Sequence, residues 1–133
     1  MLLAATGCST GGGFNPNNVT VTVSPATSTI TENGQVTLTA TVNGLCSTCA
    51  PSIGLWYVSE NNPANGGICD WFTTPPAAPC PAGTIQQMTG GLSSTLTVTY
   101  DAPSTPGTYH IVAEWALLTG PTQTGTAVVT VSP

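Results

Sequence analysis

The stretch NVTVTVSP alternates apolar and hydroxyl side chains: Val19, Val21 and Val23 share one side, Thr20 and Thr22 the other. Side chains of a strand point to opposite faces in turn, so this period of two predicts a strand with one buried face. The same rhythm recurs. QVTLTATVNG sets Val36, Leu38, Ala40 and Val42 together, and STLTVTY sets Leu96, Val98 and Tyr100 together. GTYHIVAEW aligns Tyr109, Ile111, Ala113 and Trp115, and GTAVVTVSP aligns Ala127, Val129 and Val131. GLWYVS is a short aromatic strand. TSTIT is a further short strand, and the Asn33-Gly34 pair after it predicts a hairpin turn into the next strand. No stretch carries the longer period of an amphipathic helix. The Val and Thr that dominate suit a pleated surface. About seven short strands that must share one core predict an all-β fold, an antiparallel β-sandwich.

Residues 60–82 break this rhythm. They contain ENNPANGGICDWFTTPPAAPCP, rich in Pro, Gly and Asn, with Cys69, Cys80 and Trp71. The segment is too long for an ordinary connection. It reads as a disulfide-pinned loop insertion at one end of the sandwich. The full chain of 133 residues is long enough for one domain with a real core.

Charge changes the picture more than length. The chain has no Lys or Arg, 5 acidic residues, and a formal charge of −5. Charged residues make up 4%, against about 25% in ordinary globular domains. Phosphate neutralisation needs Lys or Arg, which argues against nucleic acid as a partner. The same lack removes electrostatic attachment to anionic lipid. The surface must be Thr, Ser, Asn, Gln and Gly, a neutral skin suited to close packing against neighbours.

The cysteines number 5, an odd count. Cys8 stands alone near the start; Cys46, Cys49, Cys69 and Cys80 gather in the middle. Their spacing lacks the two close pairs or the His partners of a zinc site. Ala50 after Cys49 excludes a haem-attachment motif, and no helix accompanies the close pair as a redox motif would require. Two structural disulfides remain. Cys69–Cys80 closing the insertion, with Cys46–Cys49 as a local loop, is the preferred pairing; the rival joins the two regions. Either implies an oxidising compartment outside the cytoplasm.

Candidate chemistry is thin. His110 is the single histidine and should point outward from its strand, solvated; Glu114 shares its face but lies about 13 Å along. A cross-strand partner for His110 stays open. Asp101 begins DAPSTPG and should cap a turn. Glu60 and Asp70 flank the insertion, and a weak calcium site between them is the lesser alternative to no metal at all. No Ser-His-Asp set, phosphate loop or metal cluster is present, so neither catalysis nor a cofactor is expected. Trp71 and Phe72 offer apolar faces on a constrained loop, which suit sugar rings and proline-rich ligands; the alternative has them fold down over the open end of the sandwich. Trp115 and Leu117-Leu118 belong either to the core or to a loop patch.

LLAATGC resembles the lipobox of bacterial lipoproteins, an apolar run followed by small residues and a cysteine. The resemblance implies lipidation at Cys8 after cleavage before it, with STGGGFNPNN as a flexible tether. The run before Cys8 is shorter than a signal peptide requires and carries no basic residue, so residues 1–18 are expected to be a truncated signal and tether, with the true start upstream. From residue 19 to 133, YDAPSTPGTYHIVAEW, TGTAVVTVSP and VTVSPATSTITENGQVTLTATVNG resemble the bacterial Ig-like domains of surface and secreted proteins. The resemblance implies an antiparallel Ig-like β-sandwich. Trp56 would take the place of the family's buried strand tryptophan and Tyr109 that of its corner tyrosine, while Ile111 and Ala40 stand where antibody domains carry the inter-sheet disulfide. It also implies a place in the bacterial cell envelope or outside the cell, touching membrane only through the lipid. A fold of this kind hosts many tasks. The reading is a non-enzymatic module for adhesion or for a protein or glycan ligand, bound through Trp71 and Phe72. The alternative is a subunit that assembles with copies of itself by packing strand edges.

Overall fold

Each alternating stretch becomes a strand in the computed structural model, which describes residues 16–44, 55–61, 69–71, 80–87, 95–116 and 122–133. After one 3-10 turn at Pro16–Asn18 come β1 (Thr20–Ser24), β2 (Thr27–Thr31), β3 (Gln35–Asn43) and β4 (Leu55–Val58). Then follow β5 (Asp70–Trp71), β6 (Thr84–Gln87), β7 (Thr95–Asp101), β8 (Gly107–Ala116) and β9 (Thr122–Ser132). One sheet has the order β1-β3-β7-β6-β5 and the other β2-β9-β8-β4. This is the strand arrangement of an Ig-like sandwich. Pairing is antiparallel except for β2 with β9 and β5 with β6.

Seven of these strands follow the predicted stretches. The additions, β5 and β6, follow Cys69 and Cys80 in turn and are too short to show a period of their own; Ile85 is the one apolar residue of TIQQ and is fully buried. Pro25 ends β1, since it has no N–H to continue a ladder. The chain then changes sheets: β1 pairs with β3, whereas β2 lies parallel to β9.

That change of sheet corrects the predicted hairpin at Asn33-Gly34. A turn does form there, with Gly34 N–H donating to Thr31 O at 3.0 Å and Asn33 at φ 56°. It does not join paired strands. Glu32 N–H donates to Ser132 O at 2.9 Å, extending the β2–β9 pairing, and the turn carries the chain across to the opposite sheet. Turn chemistry encodes the reversal of direction; which strand lies alongside is decided by the other sheet.

Between the sheets lie the positions the alternation singled out. Val19, Leu38, Val98, Tyr100, Trp56, Ile111, Trp115 and Val129 are all below 2% exposed. A fully buried Val, Leu or Ile side chain contributes roughly 1.5–3 kcal/mol relative to exposure, so the inner faces supply the main stabilisation. Val21 and Val23 bury with them, which incorporates β1 in its own sheet. Gly125 lets β9 press against β1: a Cβ there would sit 2.5 Å from Val21 O. The Tyr109 hydroxyl donates to Thr105 O at 2.9 Å, pinning the turn before β8.

The outward face of the five-stranded sheet is almost wholly hydroxyl and amide. Its rows read Thr22–Thr41–Thr95, Ser24–Thr39–Thr97 and Thr37–Thr99–Gln86. Thr39 and Thr97 hydroxyls meet at 3.0 Å.

Candidate functional site

The insertion follows β4, contributes the short edge strand β5 to the five-stranded sheet, so that Trp71 lies on a strand and not on the expected loop, and leads into β6; a set of bonds from both sheets holds its base. Ser59 N–H donates to His110 O at 2.8 Å, prolonging the β4–β8 ladder by one residue. Glu60 then meets His110 twice. Its Oε2 accepts the His110 backbone N–H at 2.9 Å, and its Oε1 pairs with the ring Nδ1. Because a carboxylate accepts, the bond places the proton on Nδ1. His110 therefore points outward as expected, but it is not simply solvated: the cross-strand partner is Glu60, and the two side chains are 45% and 33% exposed.

Asn61, next in line, turns inward. It is the one buried polar side chain among the described residues, 9% exposed. Its Nδ2 donates to Gly83 O at 2.9 Å, and its Oδ1 accepts the Ala82 N–H at 2.9 Å. One amide thereby satisfies a donor and an acceptor of buried backbone that would otherwise be costly to desolvate.

The returning leg is tied by the Cys69–Cys80 disulfide, which spans a sequence separation of 11. Ile85 N–H donates to Cys69 O and Gly83 N–H to Cys80 O, each at 3.0 Å. Gly83 has φ 93°, and a Cβ on it would lie 2.4 Å from Asp101 O and 2.8 Å from the Tyr100 ring. Only glycine fits there. The Tyr100 hydroxyl donates to Ala82 O at 2.6 Å. Burial, with smaller contributions from Tyr109 and Glu60, pushes its pKa well above the ordinary tyrosine value, so it remains a neutral donor at physiological pH.

Asp101 departs from the expected turn cap. It ends β7 and bridges strands on either side: Gln35 Nε2 donates to Oδ1 at 2.6 Å, Gln86 Nε2 to Oδ2 at 2.6 Å, and the Thr84 hydroxyl to Oδ2 at 3.4 Å. Without a basic residue in the chain, amides and a hydroxyl take the carboxylate's lone pairs.

The candidate binding residues divide. Trp71 lies on β5, at the edge of the five-stranded sheet, with its backbone in register with Gln86. Phe72 lies outside the described residues, as do Cys8, Cys46, Cys49, Leu117 and Leu118. Trp115 belongs to the core. Glu60 is engaged by His110, and Asp70 sits at the β5 position opposite Ile85; among the described residues no three His, Cys, Asp or Glu side chains converge. Sequence reasoning missed Asn61 and Gly83. Asn61 stands beside Asn62 in a polar tract, and nothing local separates them. Gly83 follows a Cys-Pro-Ala run that signals a turn, which was the available hint.

Chemically the arrangement is a platform. A carboxylate-held imidazole is present, with Ser59 opposite it at the extended end of the β4–β8 ladder. No protein-family model matches the chain, and comparison with curated proteins finds no match.

Proposed function

We propose that this chain is a non-enzymatic Ig-like module of the bacterial cell envelope, lipid-anchored at Cys8, that acts in adhesion or in binding a protein or glycan ligand. The 60–82 insertion is the binding element, with Trp71 and Phe72 supplying its apolar faces. The observation that carries this reading is the way the insertion's base is held. Glu60, Asn61, Tyr100, Gly83 and the Cys69–Cys80 bridge fasten both legs to both sheets. Loops set rigidly on a scaffold bind with less ordering cost. The disulfide also supports an oxidising location outside the cytoplasm, and the absence of Lys and Arg supports a partner other than nucleic acid.

The test is binding of the purified chain to bacterial and host cell surfaces and to a glycan array, beside a Trp71→Ala/Phe72→Ala variant of unchanged thermal stability. Loss of binding in the variant is expected; undiminished binding would overturn the assignment. Intact mass from the native host checks the anchor, with a chain beginning at Cys8 and carrying lipid as the expected species.

The second reading, a structural subunit that assembles with copies of itself into a filament or surface layer by packing strand edges, is favoured by the hydroxyl- and amide-rich outward face of the five-stranded sheet, which brings little like-charge repulsion between copies. Sedimentation at micromolar concentration separates the two: a stable monomer refutes assembly.

A further inference from the structure

The outward face of the other sheet is chemically different, and its difference points to a partner. On β8, His110, Val112 and Glu114 alternate with the inward Ile111, Ala113 and Trp115. Val112 is not part of the core cluster, yet it is only 7% exposed. It lies in one row between Tyr57 on β4 and Thr126 on β9. Glu114 is one outward position along from Val112, roughly 7 Å away, and pairs with Thr124 and Leu55. Tyr57 is therefore diagonal to Glu114, at the ~7–8 Å separation that an aromatic side chain spans. Both side chains are half-buried.

The charge inventory decides what fits. A chain without Lys or Arg can neutralise a carboxylate only through His110 or from outside. His110 is taken by Glu60, and Asp101 is occupied by Gln35, Thr84 and Gln86. Glu32 sits in the β2–β3 turn, away from any strand face. Glu114 has no hydrogen-bond or ionic partner among the described residues, and it stands on a sheet face beside an aromatic ring and an apolar floor. A carboxylate and a π face side by side are complementary to an ammonium or guanidinium on an aliphatic stem. On the five-stranded sheet the outward carboxylate, Asp101, is already saturated by Gln35, Thr84 and Gln86.

We infer that the outward face of the β4–β8–β9 sheet, centred on Tyr57, Val112 and Glu114, docks a Lys- or Arg-bearing segment of a protein partner. The cation sits between the Tyr57 ring and the Glu114 carboxylate, and its stem runs along the ring. Its residues lie on β4, β8 and β9 and include neither Trp71 nor Phe72, so it stands or falls independently of the function proposed above.

The probe is a hexa-arginine peptide, titrated into the full chain at low salt and followed by amide chemical shifts. Shifts concentrated at Tyr57, Val112, Glu114 and Thr126 are expected. Glu114→Gln should weaken binding about 2–5-fold, the range of a single exposed ion pair, and Tyr57→Leu by a similar factor while Tyr57→Phe retains it. Glu32→Gln removes the same charge elsewhere and should leave affinity within about 2-fold. Equal losses from Glu32→Gln and Glu114→Gln would mean that net charge alone attracts the peptide, and would overturn the inference. So would shifts centred elsewhere, or no binding. All four variants alter exposed or half-exposed side chains, and unchanged thermal midpoints show that the fold is intact.

Discussion

Replacing Tyr100 by Phe removes one oxygen from the point where the insertion meets the core. The Tyr100 hydroxyl donates to Ala82 O at 2.6 Å and is wholly buried. Its loss leaves a buried carbonyl without that partner, a cost of about 1–2 kcal/mol at neutral pH. The pH dependence sharpens the test. Burial raises the folded-state pKa of Tyr100 above its ordinary value near 10. Above that value the unfolded chain releases this proton while the folded chain keeps it, so the unfolded state is favoured as pH rises. Stability from this group is therefore intact below about pH 10 and falls by up to ~1.4 kcal/mol per pH unit beyond it. At pH 11 the wild-type chain should have lost about 1.4 kcal/mol through Tyr100, while Tyr100→Phe loses nothing at this position. Urea unfolding followed by the fluorescence of the buried Trp56 and Trp115 measures both chains at pH 8 and pH 11. The wild-type advantage at pH 8 should shrink to near zero at pH 11. An advantage that stays constant between the two values would refute the claim that the hydroxyl is held neutral by burial. No cost at pH 8 would refute the bond's contribution.

Two further outcomes concern the same base. Asn61→Ala leaves the Ala82 N–H and the Gly83 carbonyl without their side-chain partners, and should cost about 2–4 kcal/mol in denaturant unfolding; Asn43→Ala, at an exposed asparagine ending β3, provides the comparison. Removing the bridge with Cys69→Ala/Cys80→Ala frees a short loop in the unfolded chain and should cost about 2–3 kcal/mol, seen as a drop in thermal midpoint by calorimetry.

The inward faces were legible because strand alternation is local. Val19, Leu38, Val98, Ile111 and Val129 could each be assigned to the core from their neighbours two residues away, and each is buried. Cys69 and Cys80 were legible as a pair from their placement around a Pro- and Gly-rich tract. The base of the insertion was not, because its chemistry comes from residues far apart. Glu60 and His110 are 50 positions apart, and Gln35 and Asp101 are 66 apart. The expected turn cap at Asp101 failed for the same reason: its local setting suggests a turn, but strands on both sides bring amides to it.

Period two, the β-branched content and the lack of basic residues determined an all-β sandwich with its inner and outer faces assigned, and a surface that cannot pair its own acids with Lys or Arg. Those properties depend on each residue and its immediate neighbours. Only the tertiary structure decided that β2 joins β9 rather than β3, that Asn61 turns inward, and that Glu60 takes the single imidazole while Glu114 is left with none. Alternation tells which face a side chain occupies. It carries no information about which strand lies alongside, because that depends on how two sheets bury their apolar faces together.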